Sequence, residues 1–240
     1  MKLTTKITVA CAALVAASGA FAQKAGDNIL SVGLASVNPD VGVGKLSSSG
    51  AAAAPVLQGK LVDASATADG VITLSASWLH MYTDNFGVEG TLGIPPKLTL
   101  DIATPNGTLK THPAGAKAKA LTPAAVAKYF FNTPKDQVRP YVGLGASYVT
   151  FRGVEANLAD AEVKAFAGSG ASLKSTWAPV YNAGVIYNID EKWSINGSVS
   201  YIPIKTTVTF AGSGAGAGVT TTGSLKLDTT DYVIRLGYRF

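Results

Sequence analysis

The sequence predicts an all-β protein, an eight-stranded antiparallel transmembrane β-barrel with long extracellular loops and short periplasmic turns. Three observations predict it. The chain ends on a strand of strict period-two alternation, and the connections between predicted strands alternate between long and short. An apolar N-terminal segment also has the features of a secretory signal peptide. An even number of strands, with both termini on the side of the tight turns, is the layout of a bacterial outer-membrane barrel.

The N-terminal segment predicts export. Two lysines, an apolar run and the small-x-small site Ala20-Phe21-Ala22 form a signal peptide over residues 1–22, which leaves 23–240 as a single barrel domain. The apolar run is too short for a spanning helix, which needs about 20 apolar residues. The one cysteine, Cys11, lies inside the signal, so the mature chain is predicted to fold without disulfides.

The first half of the predicted barrel contains four strands. In the first, Leu30, Val32 and Leu34 share a face, and Asn38-Pro39-Asp40 is predicted to end the strand. A tight turn at Thr83-Asp84-Asn85 makes a hairpin of the second and third. These strands are predicted at residues 28–37, 71–82, 86–94 and 121–131.

The second half repeats the pattern. Val142 and Leu144 alternate with Gly143 and Gly145 in the fifth strand, and a tight turn at 190–192 joins the sixth strand to the seventh. These strands are predicted at residues 141–151, 177–189, 193–201 and 232–240.

The connections separate into two classes. The short ones are 83–85, 132–137 and 190–192; the long ones are rich in Gly, Ala, Ser or Pro and include 41–70, 97–119, 153–176 and 211–223. Within the third long connection, residues 155–166 have the Ala, Leu, Glu and Lys content of a short helix. A soluble eight-stranded barrel has no reason to segregate long loops from short turns in this way.

The C-terminal strand gives the clearest assignment of faces. In a membrane barrel, apolar side chains face lipid and polar ones face the lumen, so Arg235 and Arg239 are predicted to point inward. An ordinary edge strand of a soluble sheet is the alternative that this segment alone leaves open. The residues predicted to face lipid, and to form the C-terminal signal for the barrel-assembly machinery, are Tyr232, Ile234, Leu236, Tyr238 and Phe240.

Composition argues against several other functions. The formal net charge is only +5, and the basic residues do not cluster with aromatic ones as a nucleic-acid site requires. No motif suggests a metal site or any other cofactor. The two histidines, His80 and His112, have no triad partners at suitable spacing, so we expect no enzyme.

Four segments resemble the OmpW/AlkL family of outer-membrane proteins, in the family's order and spacing, over nearly the whole mature chain. They are Tyr82-Thr83-Asp84-Asn85-Phe86-Gly87-Val88-Glu89, Leu121-Thr122-Pro123 leading to Tyr129-Phe130-Phe131-Asn132, Arg139-Pro140-Tyr141-Val142-Gly143-Leu144-Gly145 and Leu236-Gly237-Tyr238-Arg239-Phe240. The resemblance implies a barrel in outer-membrane lipid and lipopolysaccharide that carries small apolar substrates inward and releases them sideways into the membrane. The alternative is a structural or surface-interaction barrel whose loops meet host molecules, phage or bacteriocins.

The resemblance also suggests residues that line or gate a channel. Trp177 resembles a loop-adjacent Trp of the family, although its alternation puts it inward only if a bulge near Pro179 shifts the register. The alternative is a Trp that lies outward at the lipid interface. Met81 and Leu79 are candidates for apolar lining, with packing as the plainer alternative. Thr91 lies inward where the family has a bulky apolar residue.

Alternation also places four charged residues in the lumen: Glu89, Lys128, Arg139 and Arg235. Charges in such a site are tolerated when they are paired and hydrogen-bonded. We therefore expect Glu89 to pair with Lys128 across neighbouring strands, or with a nearby Arg, and the four residues to form an ion-pair plug that turns the substrate sideways. A stabilising ion pair with no transport role is the alternative.

Overall fold

The computed structural model describes residues 23–107 and 109–240, and the predicted signal peptide lies outside them. Within these ranges the chain forms thirteen strands, two short helices and one 3₁₀ turn at Gly214–Gly216. The strands are β1 Asn28–Gly50, β2 Ser65–Ala68, β3 Val71–Met81, β4 Phe86–Gly93, β5 Lys97–Ala103, β6 Thr111–Leu121, β7 Ala124–Phe130, β8 Val138–Ala156, β9 Gly170–Leu173, β10 Thr176–Asn188, β11 Trp193–Ile202, β12 Lys205–Ala211 and β13 Val219–Arg239; the helices are α1 Ala54–Lys60 and α2 Ala161–Ala167.

Eight of these strands close into a ring. Its order is β1, β3, β4, β7, β8, β10, β11, β13 and back to β1, and each neighbouring pair is antiparallel. The predicted eight-stranded antiparallel barrel is confirmed. Closure leaves no edge strand in the ring, and this is what allows a sheet to lie in hydrocarbon.

Several strands continue beyond the ring, which corrects their predicted ends. β1 does not stop at Asn38-Pro39-Asp40 but pairs with β13 as far as Gly50, with a register shift between Val43 and Leu46. Its pairing with β3 ends at Val37. Past that point β1 has one neighbour only, so the N–H that Pro39 lacks is not needed for a second ladder.

The second long connection is a strand pair rather than a loop. Residues predicted as irregular over 97–119 form the hairpin β5–β6, which adds β2 on one side and the upper part of β8 on the other. The predicted helix at 155–166 is also shorter, because β8 continues to Ala156 and α2 begins at Ala161. The Asp160 side chain fixes that start by accepting bonds from the Glu162 and Val163 amides.

The short turns at the opposite end are held by aspartates. Asp136 accepts bonds from the Thr133 amide and hydroxyl, both at 2.7 Å. Asp190 accepts from the Lys192 and Trp193 amides, also at 2.7 Å. These bonds favour the charged carboxylates and lower the pKa of Asp136 and of Asp190 below the usual range.

Outward-facing side chains form a lipid-facing surface with aromatic bands at two levels. Near the short turns Trp193 packs on Tyr238, with ring centroids 5.0 Å apart. Near the loops Trp177 packs on Tyr148, with centroids 5.1 Å apart. Such girdles mark the two interfaces of a bilayer. Within the described ranges, neither helix has the length and hydropathy that a membrane crossing requires.

The faces predicted for the last strand are confirmed. The five even-numbered residues from Tyr232 to Phe240 are exposed on the outside of the ring, whereas the Arg235 side chain is buried inside. Arg239 points to the periplasmic end, where it pairs with Asp27 at 3.2 Å.

Candidate functional site: the barrel interior and its wall

A cavity of about 100 Å³ lies halfway along the barrel. We call it the mid-barrel cavity. Apolar side chains such as Val126, Val180 and Ile202 form much of its wall, while Glu89 and Arg235 lie at its periplasmic end. Its residues come from all eight ring strands, with Phe151 as the contribution of β8, and from Pro96, Leu98 and Ala120 above the ring.

A second cavity of about 100 Å³, the loop cavity, lies on the extracellular side. Its lining is almost wholly apolar and includes Leu46, Leu61, Ile102, Phe166, Val208 and Phe210. The two cavities meet along shared strands: Ala118 and Leu225 line the loop cavity, and Ala120 and Leu227, two residues further along, line the mid-barrel cavity. Because alternate residues share a face, these are neighbouring side chains on the same inner face, and the two cavities adjoin there.

The backbone pairing of the barrel wall is interrupted beside the mid-barrel cavity, at a place that we call the wall opening. The β4–β7 ladder ends at Thr91 opposite Ala124, and the chains pair again only at Lys97 opposite Lys119 in the β5–β6 ladder. Between these points residues 92–96 and 120–123 frame a gap, closed above by the bond from the Ala120 amide to the Pro96 carbonyl at 3.3 Å. Residues from both rims of the gap line the cavity: Thr91, Leu92, Gly93, Ile94, Pro96, Ala120, Thr122 and Ala124.

Prolines reduce the number of unpaired donors at the gap. Pro95, Pro96 and Pro123 stand on its rims and carry no N–H, so none of them needs a partner there. The Pro123 carbonyl is turned away and accepts bonds from the Tyr148 amide and the Ser147 hydroxyl. An unsatisfied backbone group in hydrocarbon costs several kcal/mol, so prolines suit this place.

An ion pair closes the periplasmic end of the mid-barrel cavity. Lys128 Nζ lies 2.8 Å from Glu89 Oε1, and Arg235 Nη1 lies 3.6 Å from the same oxygen. Arg235 is oriented by donating to the Ser75 hydroxyl at 2.7 Å. All three charged side chains are at least nine-tenths buried. The predicted Glu89–Lys128 pair is therefore present, with Arg235 beside it.

A second barrier lies below the ion pair. It is an apolar cluster of six residues, Ile29, Leu79, Met81, Phe130, Tyr141 and Ile186, each at most 2% exposed. Arg139 lies below that cluster and donates to the carbonyls of Gln23, Asp84 and Phe131. Arg139 thus belongs to the periplasmic closure, which corrects its assignment to the Glu89 ion pair.

The structure places the four predicted channel-lining residues in three different environments. Thr91 lines the mid-barrel cavity as expected of an inward residue. Leu79 and Met81 are inward but belong to the periplasmic cluster, and they line neither the mid-barrel cavity nor the loop cavity. Trp177 is 69% exposed on the outer face, because the β8–β10 register runs from Thr176 to Tyr187 without a bulge. The alternative role of Trp177, a lipid-interface anchor, fits this position.

Sequence reasoning also missed an interaction between distant loops. The buried His112 ring contacts Asp160 Oδ2 at 2.6 Å through its Nδ1, and Thr104 Oγ1 at 2.9 Å through its Nε2. Glu162 pairs with Lys60 at 2.8 Å. We call these five residues the loop latch. The Thr104 hydroxyl is fully buried and donates to the Leu109 carbonyl, so this Asp–His–Thr arrangement offers no nucleophile to a substrate. The latch ties α1, α2 and the β5–β6 turn together beside the loop cavity.

The loop latch gives a pH dependence that can be measured. Burial raises the pKa of Asp160, but the bonds from His112, Val163 and Glu162 outweigh it and hold the pKa below its usual range. The stabilisation is therefore fully present above the ordinary Asp pKa, which is about 3.9. It is lost as the pH falls through the lower pKa that Asp160 has in the folded state. Hydrogen exchange of α2 and of the β5–β6 turn should stay slow down to about pH 4 and accelerate below it. Asp160→Asn, which keeps a capping oxygen but does not titrate, should flatten that profile; an unchanged profile would contradict the role of Asp160.

Known outer-membrane proteins resemble this chain in sequence over most of its length. The sequence model of the OmpW family matches residues 24–240. Outer membrane protein W of Escherichia coli (strain K12) is 30% identical over 244 residues, which covers 98% of this chain and 99% of that protein. Outer membrane protein AlkL of Ectopseudomonas oleovorans is 25% identical over 152 residues, 63% of this chain and 60% of that protein.

Solved structures share the fold. The crystal structure of the outer membrane protein OprG from Pseudomonas aeruginosa superposes with a TM-score of 0.79 at 25% identity, covering 92% of this chain and 99% of that one. The structure of AlkL in lipid bilayers superposes with a TM-score of 0.62 at 22% identity, covering 94% of each chain.

Proposed function

This chain belongs to the OmpW family of outer-membrane proteins, and from that premise we propose that it is a passive channel for small hydrophobic molecules that leave sideways into the membrane. The substrate enters under the loops, occupies the loop cavity and the mid-barrel cavity in turn, and exits through the gap between residues 92–96 and 120–123. The mature chain begins at Gln23, after removal of the signal peptide.

One observation carries the proposal: the mid-barrel cavity is lined by both rims of the unpaired stretch of wall, while the lumen on its periplasmic side is filled. Leu92 and Ile94, both exposed on the outer face, share the lining of that cavity with buried residues such as Val126. Below it, the Glu89–Lys128 pair and the apolar cluster fill the lumen. A molecule in the cavity therefore has the wall as its shortest way out.

The energetics favour the same exit. Each methylene transferred from an apolar site into water costs about 0.8 kcal/mol, so release into the periplasm becomes unfavourable for any substrate with a long apolar part. Release into hydrocarbon carries no such cost. Eight strands also enclose too little space for a water-filled pore.

A structural or surface-interaction barrel without transport is the competing function. It would have a lumen packed from end to end, whereas this lumen has the mid-barrel cavity, the loop cavity and the wall opening beside the first of them. The latched loops are an ordered surface that such a barrel could use. These features favour transport while leaving surface contacts compatible with it.

The test is uptake of a small uncharged apolar fluorophore by cells that express the barrel, against cells that express none. The apolar probe should enter faster, and a sugar-like hydrophilic probe should not, because the ion pair and the apolar cluster exclude solvated molecules. Heat-modifiable gel mobility confirms a folded barrel. If a folded barrel does not speed up uptake of the apolar probe, the channel function is wrong and the surface-interaction function is favoured instead.

A further inference from the structure

The mid-barrel cavity contains a row of hydrogen-bond acceptors. Asn182 pairs with Ser200 across β10–β11, and Ser200 pairs with Asp231 across β11–β13. The three residues therefore lie at one height on adjacent strands, and all three line the cavity. Strands are spaced about 4.8 Å apart, so the outer two backbones are about 10 Å apart. Their side chains point into a closed barrel and converge towards its axis.

The orientation of the Asn182 amide is fixed by its neighbours. Its Nδ2 donates to the Val199 carbonyl at 3.1 Å and to the Ser200 hydroxyl at 2.9 Å. A carbonyl can only accept, so the amide nitrogen must face Val199. This leaves Asn182 Oδ1 buried, with no hydrogen-bond partner.

The Asp231 carboxylate also has one oxygen without a hydrogen-bond partner. The Thr229 hydroxyl engages it, but Oδ1 is buried and has no partner. The nearest lumenal cation along β13 is Arg235, four residues or about 13 Å away and already held by Ser75 and Glu89. A carboxylate oxygen without a donor is costly to bury, and a ligand that supplies donors recovers that cost.

We propose that this acceptor row binds the ammonium group of a primary alkylamine, with its alkyl chain against Val180, Ile202, Leu227 and Val233. An ammonium group has three donors and a positive charge, so it can satisfy Asp231 Oδ1 and Asn182 Oδ1 together, and charge-assisted bonds are the stronger kind. The inference rests on the proposed function, because it names a substrate class for the same channel: amphiphiles with a donor head, in addition to fully apolar molecules.

The experiment measures binding of hexylamine to the barrel in lipid nanodiscs by calorimetry, with empty nanodiscs as the reference. Two probes of the same chain length, 1-hexanol and hexanoate, serve as comparisons. We expect saturable binding of hexylamine, binding of hexanol weaker by at least tenfold, and no binding of hexanoate. Asp231→Asn should weaken the binding of hexylamine by at least tenfold and leave the binding of hexanol unchanged. Asn182→Ala should weaken the binding of hexylamine several-fold.

The matched control is Asp228→Asn. Asp228 lies three residues before Asp231 on the same strand, but on the outer face, where it accepts a bond from the Tyr201 hydroxyl. This variant makes the same change of charge and should leave hexylamine binding intact. Equal binding of hexylamine and hexanoate, or hexylamine binding that survives Asp231→Asn, would overturn the inference. The proposed channel function is tested separately, since the uncharged fluorophore carries no donor for Asp231.

Discussion

Cross-linking Gly93→Cys to Thr122→Cys is expected to reduce uptake of the apolar fluorophore to the level of cells without the barrel. These residues face each other across the wall opening, immediately beyond the last pair of the β4–β7 ladder, Thr91 and Ala124. Both line the mid-barrel cavity. A bridge between them blocks the gap between residues 92–96 and 120–123, while the periplasmic barrier stays closed.

The design allows the same protein to serve as its own control. The natural sequence has one cysteine, Cys11, within the predicted signal peptide, so a bis-maleimide reagent with a cleavable disulfide should join the two engineered thiols. A Cβ at Gly93 first meets the Leu74 carbonyl at 3.2 Å, a contact that needs only a small adjustment. Reduction should cleave the bridge and restore uptake.

A second cysteine pair separates closure of the gap from stiffening of the barrel. Ala125 and Ala146 are direct partners in the intact β7–β8 ladder, and both are exposed on the outer face. Ala125→Cys bridged to Ala146→Cys should leave uptake unchanged. Full uptake by the bridged Gly93–Thr122 variant would rule out lateral release, and loss of uptake in both variants would attribute the effect to rigidity.

The barrel itself follows from the sequence because alternation and loop length act locally. Each ring strand needs an apolar outer face, and the C-terminal run from Tyr232 to Phe240 shows that face plainly. Strand ends were less predictable. Asn38-Pro39-Asp40 has the chemistry of a turn, but pairing with β13 on one side was enough to extend β1 through it.

The site was harder to predict, because alternation assigns a face but not a height along the barrel. Glu89 and Lys128 were placed together since their strands were expected to be neighbours, and they are. Arg139 shares the inward face but lies lower, beside Gln23 and Asp84. The acceptor row depends on the registers of three strands, and the bond between His112 and Asp160 joins residues 48 positions apart. No local pattern encodes either.

Glu89→Ala is expected to lower the free energy of unfolding by about 3–5 kcal/mol, the usual cost of removing one partner of a buried ion pair. Lys128, whose Nζ also lies 4.3 Å from the Tyr141 ring centroid, and Arg235 would both remain buried without their counter-charge. Denaturant unfolding from lipid bilayers measures the change. Glu191→Ala, in an exposed periplasmic turn, is the matched control and should change stability by less than about 0.5 kcal/mol.

A double-mutant cycle then decides what the ion pair does for transport. Glu89→Leu combined with Lys128→Met removes the charges of the pair and fills their space, and of the three buried charges only Arg235, which still donates to the Ser75 hydroxyl, is left. The double variant should therefore be more stable than the sum of the single changes indicates. Leu79, Met81 and Phe130 still block the lumen below, so no ion conductance should appear across planar bilayers. Unchanged uptake by this stable variant would make the pair a structural element, because the apolar cluster alone suffices to turn the substrate towards the wall. Slower uptake with unchanged stability would instead show that the charges themselves direct the substrate sideways, since their replacement fills the same space.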